Sequence, residues 1–420
     1  MKCVATDKGL LVSRATLLFG FVPAAGIVLA VAGLAVSPPT LRGAAPASVA
    51  GKRERFCSYE ALKACGEKLD ENEALLSFVP GTQRSSLRTV TNRGVRRYRL
   101  PGAAELRTRC MEARSALEND SAQWPRLSLA LYRILFGHVN RDVLDKPEWL
   151  IEASDELFQT PFAALAVSAG PAPKYLVERH QIRQTLGVSA SFREREDLPA
   201  NVFLGIGDGV YNSADPRWKP LLFRWMMPGP DGELPRLAGA GVELESCARS
   251  ARLDAVLLRG ADASEAEFRA ALARRPAIIH LGTHVIREAD GSALVLGIDG
   301  EGRRELLTSA NISRLRVPGS IVAMSGCASG ADGPKPGSYV PELMRAWLVA
   351  GAHVVVGTRW TVEDDTGDFF REFYRHLDRD SQPGRGASRA LRAATLAMLH
   401  SGTWRARPNY WATFLAVEKE

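Results

Sequence analysis

Two residues in the second half of the chain have the types and the placing that acyl-transfer chemistry asks for. Cys327 follows the apolar run Ser320-Ile321-Val322-Ala323-Met324-Ser325 across Gly326. His284, 43 residues earlier, closes the run Pro276-Ala277-Ile278-Ile279-His280-Leu281-Gly282-Thr283. A thiol attacks as the thiolate, and a neighbouring imidazole both lowers its pKa and returns a proton to the leaving amine. The residues after Cys327, Ala328-Ser329-Gly330-Ala331-Asp332-Gly333, are small, and such a loop can aim backbone N–H groups at a developing oxyanion. Taken singly, each residue also fits an ordinary core position, the cysteine as a small hydrophobe and the histidine as a hydrogen-bonded ring. The pair carries the chemistry.

Competing chemistries lack their parts. His280 and His284 are four apart, but the glutamate of a zincin helix is missing. Gly282 and the apolar run favour a strand, where both rings share a face, and no third ligand is visible. No metal centre is expected. Gly205-Ile206-Gly207-Asp208-Gly209 lacks the full dinucleotide fingerprint and reads as a strand-end turn. Ser325 and Ser329 do not form a serine-hydrolase elbow. The net charge of +7 is dispersed, without aromatic-interleaved basic stripes, which points to solubility rather than nucleic-acid binding. Six cysteines (Cys3, Cys57, Cys65, Cys110, Cys247 and Cys327) include no CxxC pair, so zinc-ribbon spacing is absent. Cys57 and Cys65 stand close enough in sequence to approach each other, but a chain of 420 residues has little need of a disulfide framework.

The elements that must position the pair follow from periodicity. From residue 196 onward strands and helices alternate. Strands are expected at Val202–Ile206, Ala255–Leu258, Ala277–Leu281, Ala293–Ile298, Ile321–Ser325, His353–Thr358 and Trp411–Val417. Helices are expected at Ala240–Ala251, Ser264–Arg274, Pro341–Ala350, Asp365–Leu377 and Ala387–His400, with Ser264 and Glu267 at capping-box spacing and Gly351 as a helix stop. Such alternation argues for a mostly parallel sheet covered by helices on both faces, with reactive groups beyond the carboxyl ends of its strands. Residues 56–195 read as an α+β part. It has helices at Phe56–Lys68, Ala103–Glu118 and Leu127–Val139, strands at 74–80, 87–100 and 149–153, and a hairpin turn at Asn92-Arg93-Gly94.

Ahead of these lies a different object. Residues 15–36 form an uncharged run of 22, long enough for a membrane helix, which needs roughly 20 apolar residues. We expect residues 1–36 to be a signal-anchor or a signal peptide. The length favours an uncleaved anchor, in the inner membrane if the chain is bacterial; the alternative is export after cleavage near the Ala-rich stretch. Basic residues flank the run on both sides, so the side facing the domain stays open. Residues 37–55 read as a linker.

Several segments together resemble a known family. Ile279-His280-Leu281-Gly282-Thr283-His284 and Ala323-Met324-Ser325-Gly326-Cys327-Ala328-Ser329-Gly330 are similar to the histidine and nucleophile segments of the CHAT domain, a caspase-related fold in the clan of separase. The run from Leu348 to Trp360, the helix Asp368–Tyr374, the stretch Asn409–Phe414, Thr160–Leu165 and Tyr175–Arg179 extend the likeness, which covers about residues 70–418. The chain order, histidine before cysteine, is also that of caspases.

The resemblance implies a caspase-like, mostly parallel sheet in the 196–420 part, preceded by a pseudo-caspase-like α+β half. It further implies hydrolysis of a peptide bond in a protein substrate without metal or cofactor. His284 would be base and acid, Cys327 the nucleophile, and the backbone N–H groups of Val285 and Cys327 the oxyanion donors. Family members often carry tetratricopeptide repeats; no 34-residue repeat is visible here, so a regulatory partner such as a tetratricopeptide-repeat protein would supply that surface. Among acidic loop residues, Asp332, Glu363, Asp364 and Asp365 are candidates to favour a basic P1 side chain, with Trp360 as a pocket wall. Two departures stand out. Val285 occupies a position where the family usually has glycine, and Gly326 one where it usually has alanine. A positive φ at 285 would suit valine poorly, whereas its N–H would serve equally well. That departure leaves a second reading, a CHAT-fold scaffold without activity.

Overall fold

Strands covered on both faces need no polar side, and the chain's continuous apolar runs accordingly become the middle of its sheet. The computed structural model describes residues 59–168, 170, 172–185, 199–219, 234–288, 291–326, 342–362, 364–378 and 383–418. The apolar run 15–36, the linker, Cys327, Asp332 and Glu363 lie outside the described residues. Among those described, no helix is long and apolar enough to cross a membrane.

The first half supplies β1 (Glu73–Val79), β2 (Ser85–Thr91), β3 (Gly94–Leu100), β4 (Glu148–Glu152) and β5 (Gln181–Thr185). The second supplies β6 (Ala200–Gly209), β7 (Asp254–Gly260), β8 (Pro276–Gly282), β9 (His284–Glu288), β10 (Gly291–Ile298), β11 (Arg304–Thr308), β12 (Ile321–Met324), β13 (Val354–Thr358) and β14 (Phe414–Glu418). Eleven of them form one sheet in the order β3-β2-β1-β4-β5-β14-β13-β12-β8-β6-β7, and β11-β10-β9 form a second, antiparallel one. Beyond the antiparallel β1–β2 and β2–β3 pairs at one end, the large sheet consists of two parallel blocks running in opposite senses. β1, β4, β5 and β14 are mutually parallel, as are β13, β12, β8, β6 and β7, and the blocks meet at the antiparallel pair β13–β14. The 56–195 and 196–420 parts therefore share one continuous sheet, and residues 51–420 form one compact unit.

The longer helices are α1 (Tyr59–Gly66), α2 (Ala103–Glu118), α3 (Trp124–Phe136), α4 (Ala238–Ala251), α5 (Glu265–Leu272), α6 (Glu342–Val349), α7 (Gly367–Arg375) and α8 (Pro383–Leu399). Local signals set several ends. α3 begins three residues earlier than the expected Leu127, with Pro125 in its first turn, where a missing N–H costs nothing. The Ser264 hydroxyl accepts the Glu267 amide at the start of α5, and Gly351 takes φ +111° just beyond α6. The β2–β3 hairpin turns at Asn92-Arg93 with Gly94 at φ +128°.

Three strands carry no clear periodicity in sequence. β5 reads Gln-Ile-Arg-Gln-Thr yet is buried, because distant partners satisfy its polar groups. Gln181 donates to Ser388 Oγ at 2.7 Å, and Gln184 to the Phe158 carbonyl at 2.9 Å. Arg183 pairs with Glu73 on β1 and, at 3.4 Å, with Glu418 on β14. Arg385 on α8 reaches Glu73 as well, at 2.7 Å. β9 and β11 arise only because β10 lies between them. The expected strand Trp411–Val417 starts later, at Phe414, after a one-turn helix Pro408–Trp411.

Arg183 is a seam between β1 and β14 across β5, and removing one partner of a buried ion pair leaves a carboxylate uncompensated. Arg183→Met is expected to lower stability by about 3–5 kcal/mol, read as a reduced urea midpoint at unchanged slope. A loss within about 0.5 kcal/mol, as for a surface substitution, would show that the seam carries no load.

Candidate active site

The carboxyl ends of β6, β8, β12 and β13 lie along one edge of the sheet because the four strands are parallel neighbours. Asp208, His284, Gly326 and Thr358 all fall at that edge. The run ending on His284 is not one strand. β8 stops at Gly282, Thr283 intervenes, and His284 opens β9, where it faces Val295 of β10. The two histidines therefore do not share a strand face. His280 is fully buried inside the sheet and His284 is only half-buried at its rim.

His280 belongs to a polar network beneath the rim. Its Nε2–H donates to Glu243 Oε1 on α4 at 2.6 Å, and its Nδ1 lies 2.8 Å from the phenol of Tyr374 on α7. The Thr366 hydroxyl donates to the other Glu243 oxygen at 2.6 Å, and Ser325 Oγ lies 3.4 Å from His280 Nε2. Burial alone would raise the Glu243 carboxyl, but the hydrogen bonds and charge from His280, with Thr366, hold it below the usual range. The network ties α4, β8, the end of β12 and α7 together two residues before Cys327. Among the described residues no group of His, Cys, Asp and Glu has the composition of a metal site.

His284 has one ring nitrogen committed to a backbone carbonyl. Its Nε2–H donates to the Pro235 carbonyl at 2.8 Å, which fixes the tautomer and leaves the Nδ1 lone pair to accept a proton. The Tyr211 ring stands edge-on to the imidazole, with centroids 4.7 Å apart. Burial pulls the His284 pKa below its ordinary value; the Pro235 bond and the Asp364 charge oppose that shift only in part. The shift favours the neutral form of the ring. No backbone carbonyl could be named from sequence as its partner. The Pro235 bond spans 49 residues and exists only in the folded chain.

The chain leading to Cys327 is held as far as Gly326. The Thr358 hydroxyl on β13 donates to the Gly326 carbonyl at 2.9 Å, and the Ser325 amide donates to the Leu281 carbonyl at 3.0 Å. Gly326 passes so close to Thr283 that a Cβ there would lie 2.2 Å from its carbonyl oxygen and 3.3 Å from Val285 Cγ2. Val285 itself takes no positive φ; among the described residues, the non-glycines that do are Asp120, Asp208, Arg252 and Arg275. Valine at 285 is therefore unstrained, and the conformational objection to it falls away.

Of the proposed pocket residues, Asp332 and Glu363 lie outside the described residues. Asp364 accepts the Gly239 amide at 2.7 Å and so caps the start of α4, with burial raising its pKa. Asp365 is held by both oxygens to Arg405, at 2.7 and 2.8 Å. Trp360 is 5% exposed, and its indole N–H donates to the Asn409 carbonyl at 3.1 Å. Sequence reasoning missed Asp208, Tyr211, Pro235 and Arg236 around His284. The one available signal was Asp208 between glycines in the segment expected as a strand-end turn, which the structure makes the last residues of β6.

The family described as CHAT domain matches residues 125–419. Among solved structures, the chain is similar to the Arg-specific cysteine proteinase gingipain R at 8% identity, with a TM-score of 0.39 over 72% of this chain and 69% of that one. It is also similar to Saccharomyces cerevisiae separase, in the separase–securin complex at 2.6 angstrom resolution, at 11% identity and a TM-score of 0.46. That likeness covers 84% of this chain and 31% of the separase chain, so the chain spans about a third of it. No curated protein matches the sequence.

Because the clash at 326 is with backbone, Gly326→Ala is expected to cost about 1–3 kcal/mol, as overpacking does. Adding Val285→Gly should not restore the loss, since the Thr283 carbonyl stays in place. Thermal melts of the single and double variants check both statements, and full recovery in the double variant would place the conflict on Val285 instead.

Proposed function

From the premise that this chain belongs to the CHAT domain family, we propose that it is a cysteine endopeptidase with His284 and Cys327 as its dyad and a protein as its substrate. The observation that carries this reading is the imidazole of His284, its Nε2–H committed to Pro235 and its Nδ1 left open at the edge where the Cys327 loop begins. The Cys327 thiol gives its proton to Nδ1, and the thiolate attacks the scissile carbonyl carbon. The resulting oxyanion is met by the backbone N–H groups of Val285 and Cys327. Collapse breaks the C–N bond, with the proton passing from His284 to the leaving amine, and leaves a thioester on Cys327. Water, deprotonated by His284, then releases the acid product and regenerates the thiol. This chemistry asks for no metal or cofactor.

Substrate choice falls to the loops after β12 and β13. With Asp364 engaged at α4, Asp332 and Glu363 are the proposed acidic groups for a basic P1 side chain, and Trp360 the proposed pocket wall. A partner protein, of the tetratricopeptide-repeat kind, is proposed to regulate access. Residues 15–36 are proposed to anchor the chain in a membrane, and protease accessibility in intact cells against spheroplasts tests that part.

The expected result with the full chain is cleavage within a peptide library, read by mass spectrometry, that Cys327→Ala abolishes. In the folded protein, iodoacetamide near pH 7 should modify Cys327 far faster than Cys247, which is buried and whose thiol burial pushes up. If Cys327 proves no more reactive than Cys247, the scaffold reading replaces this one. Protonating His284 removes the base, so kcat/KM should fall as the pH drops through its depressed pKa. The acid limb is expected below about pH 6.5, the ordinary histidine value; a limb above pH 7 speaks against His284 as the base.

A further inference from the structure

His284 owes its tautomer to a carbonyl on a segment that has no secondary structure of its own. Pro235 and Arg236 are exposed, and α4 begins only at Ala238. A carbonyl on exposed irregular chain does not hold a direction by itself, so something must fix it. The end of β6 and the loop after it do so on both sides of Pro235. Asn212 Nδ2 donates to the Leu234 carbonyl at 2.9 Å. The Arg236 guanidinium lays its fork on both oxygens of Asp208, Nε to Oδ1 at 2.8 Å and Nη2 to Oδ2 at 2.9 Å.

The loop is itself locked. Arg217 donates to the Asp208 and Gly209 carbonyls at 3.0 and 3.3 Å and is anchored by Asp215 at 2.7 Å. Asp208 takes φ +48°, a conformation that costs energy and persists where surroundings enforce it. Burial would raise its carboxyl, but the bonds from Arg236 and Arg217 keep it below the usual range, and thus charged. Tyr211, from the same loop, stands against the His284 ring. The charged groups that act on the ring are Asp364 and Arg304.

We propose that Asp208, Asn212 and Arg236 are positioning residues for His284, forming a clasp that presses the Pro235 carbonyl onto Nε2–H and so presents Nδ1 as the base. The proposal deepens the dyad reading and rests on it for its catalytic consequence. A purely structural role predicts something else. The Arg236 side chain is 52% exposed, and exposed ion pairs contribute little to stability. Its value lies in direction.

The test uses the full-length chain labelled with ¹⁵N-histidine. Arg236→Gln, and the double variant Arg236→Gln/Asn212→Ala, should melt within a few degrees of the parent. The His284 ¹⁵N shifts should nevertheless move from a fixed Nε2–H tautomer toward a mixture, and kcat should fall by up to about 10²-fold with KM little changed. Arg236→Lys, which reaches one Asp208 oxygen but not both in a fork, should recover part of both signals. Asp215→Asn, which loosens Arg217 but spares the Asp208–Arg236 fork, should leave the tautomer in place. Unchanged His284 shifts in the folded double variant overturn the clasp. Tautomer shifts are read without turnover, so a failure of the dyad, seen as undiminished cleavage by Cys327→Ala, is distinguishable from a failure of the clasp.

Discussion

Glu243 and His280 are both withdrawn from water, and each is satisfied by the other. A buried carboxylate without that partner would cost several kcal/mol, so α4 can dock on the sheet only in the register that brings Glu243 to the imidazole. That single constraint shapes the whole rim. With the register fixed, the first turn of α4 comes down on the ends of β6 and β8. There Gly207 and Gly282 leave room for it; a Cβ on Gly282 would meet the Ala240 methyl at 3.1 Å. The residues leading into that turn are then Pro235 and Arg236, delivered to the rim where His284 stands. Tyr374 and Thr366 extend the same network to α7, so the helix layer and the candidate site are parts of one polar arrangement.

The two opposed parallel blocks need a junction, and the chain builds it from buried polar residues rather than from more hydrophobes. Inside the block that ends on β14, Arg183 bridges β1 and β14 across β5 and so braces the strand at the junction. Arg359, at the end of β13, has a fully buried guanidinium bonded to neutral oxygens, those of Ala412, Phe414 and Gln184. Burial lowers its pKa to about 9. The site edge of β13 is thereby tied to β14 and β5. The first half of the chain thus braces the edge on which the candidate base and the Gly326 strand end converge.

At that edge, two substitutions that look like departures from the family fit each other spatially. Gly326 is required by the Thr283 carbonyl, and Val285 Cγ2 lies against the space a larger residue at 326 would enter. Since Val285 adopts an ordinary backbone conformation, its N–H can serve an oxyanion as glycine's would. Packing thus accounts for the glycine at 326, and no backbone strain argues against the valine at 285.

Much was legible from the sequence alone. Apolar runs of β-branched and aliphatic residues (Ala277–Leu281, Ile321–Met324, Val354–Val356) determined the central strands, because burial on both faces leaves no other place for them. Helix caps at Ser264 and Gly351 and the hairpin at Gly94 were equally local, as was the succession of motifs that marks the family. Other features depended on partners far away in the chain. β5 is polar and became a strand only through Glu73, Glu418 and Ser388. His280 and His284 looked like neighbours on one face until the break at Thr283 sent one into the core and the other to the rim. The carbonyl that orients His284, and the Asp208 and Arg236 that hold it, come from segments joined only by folding. Local pattern encodes which residues are buried and which backbone angles are cheap; hydrogen-bond partners across 49 residues, as for Pro235 and His284, are decided by tertiary structure, because only the packed chain brings donor and acceptor within 2.8 Å.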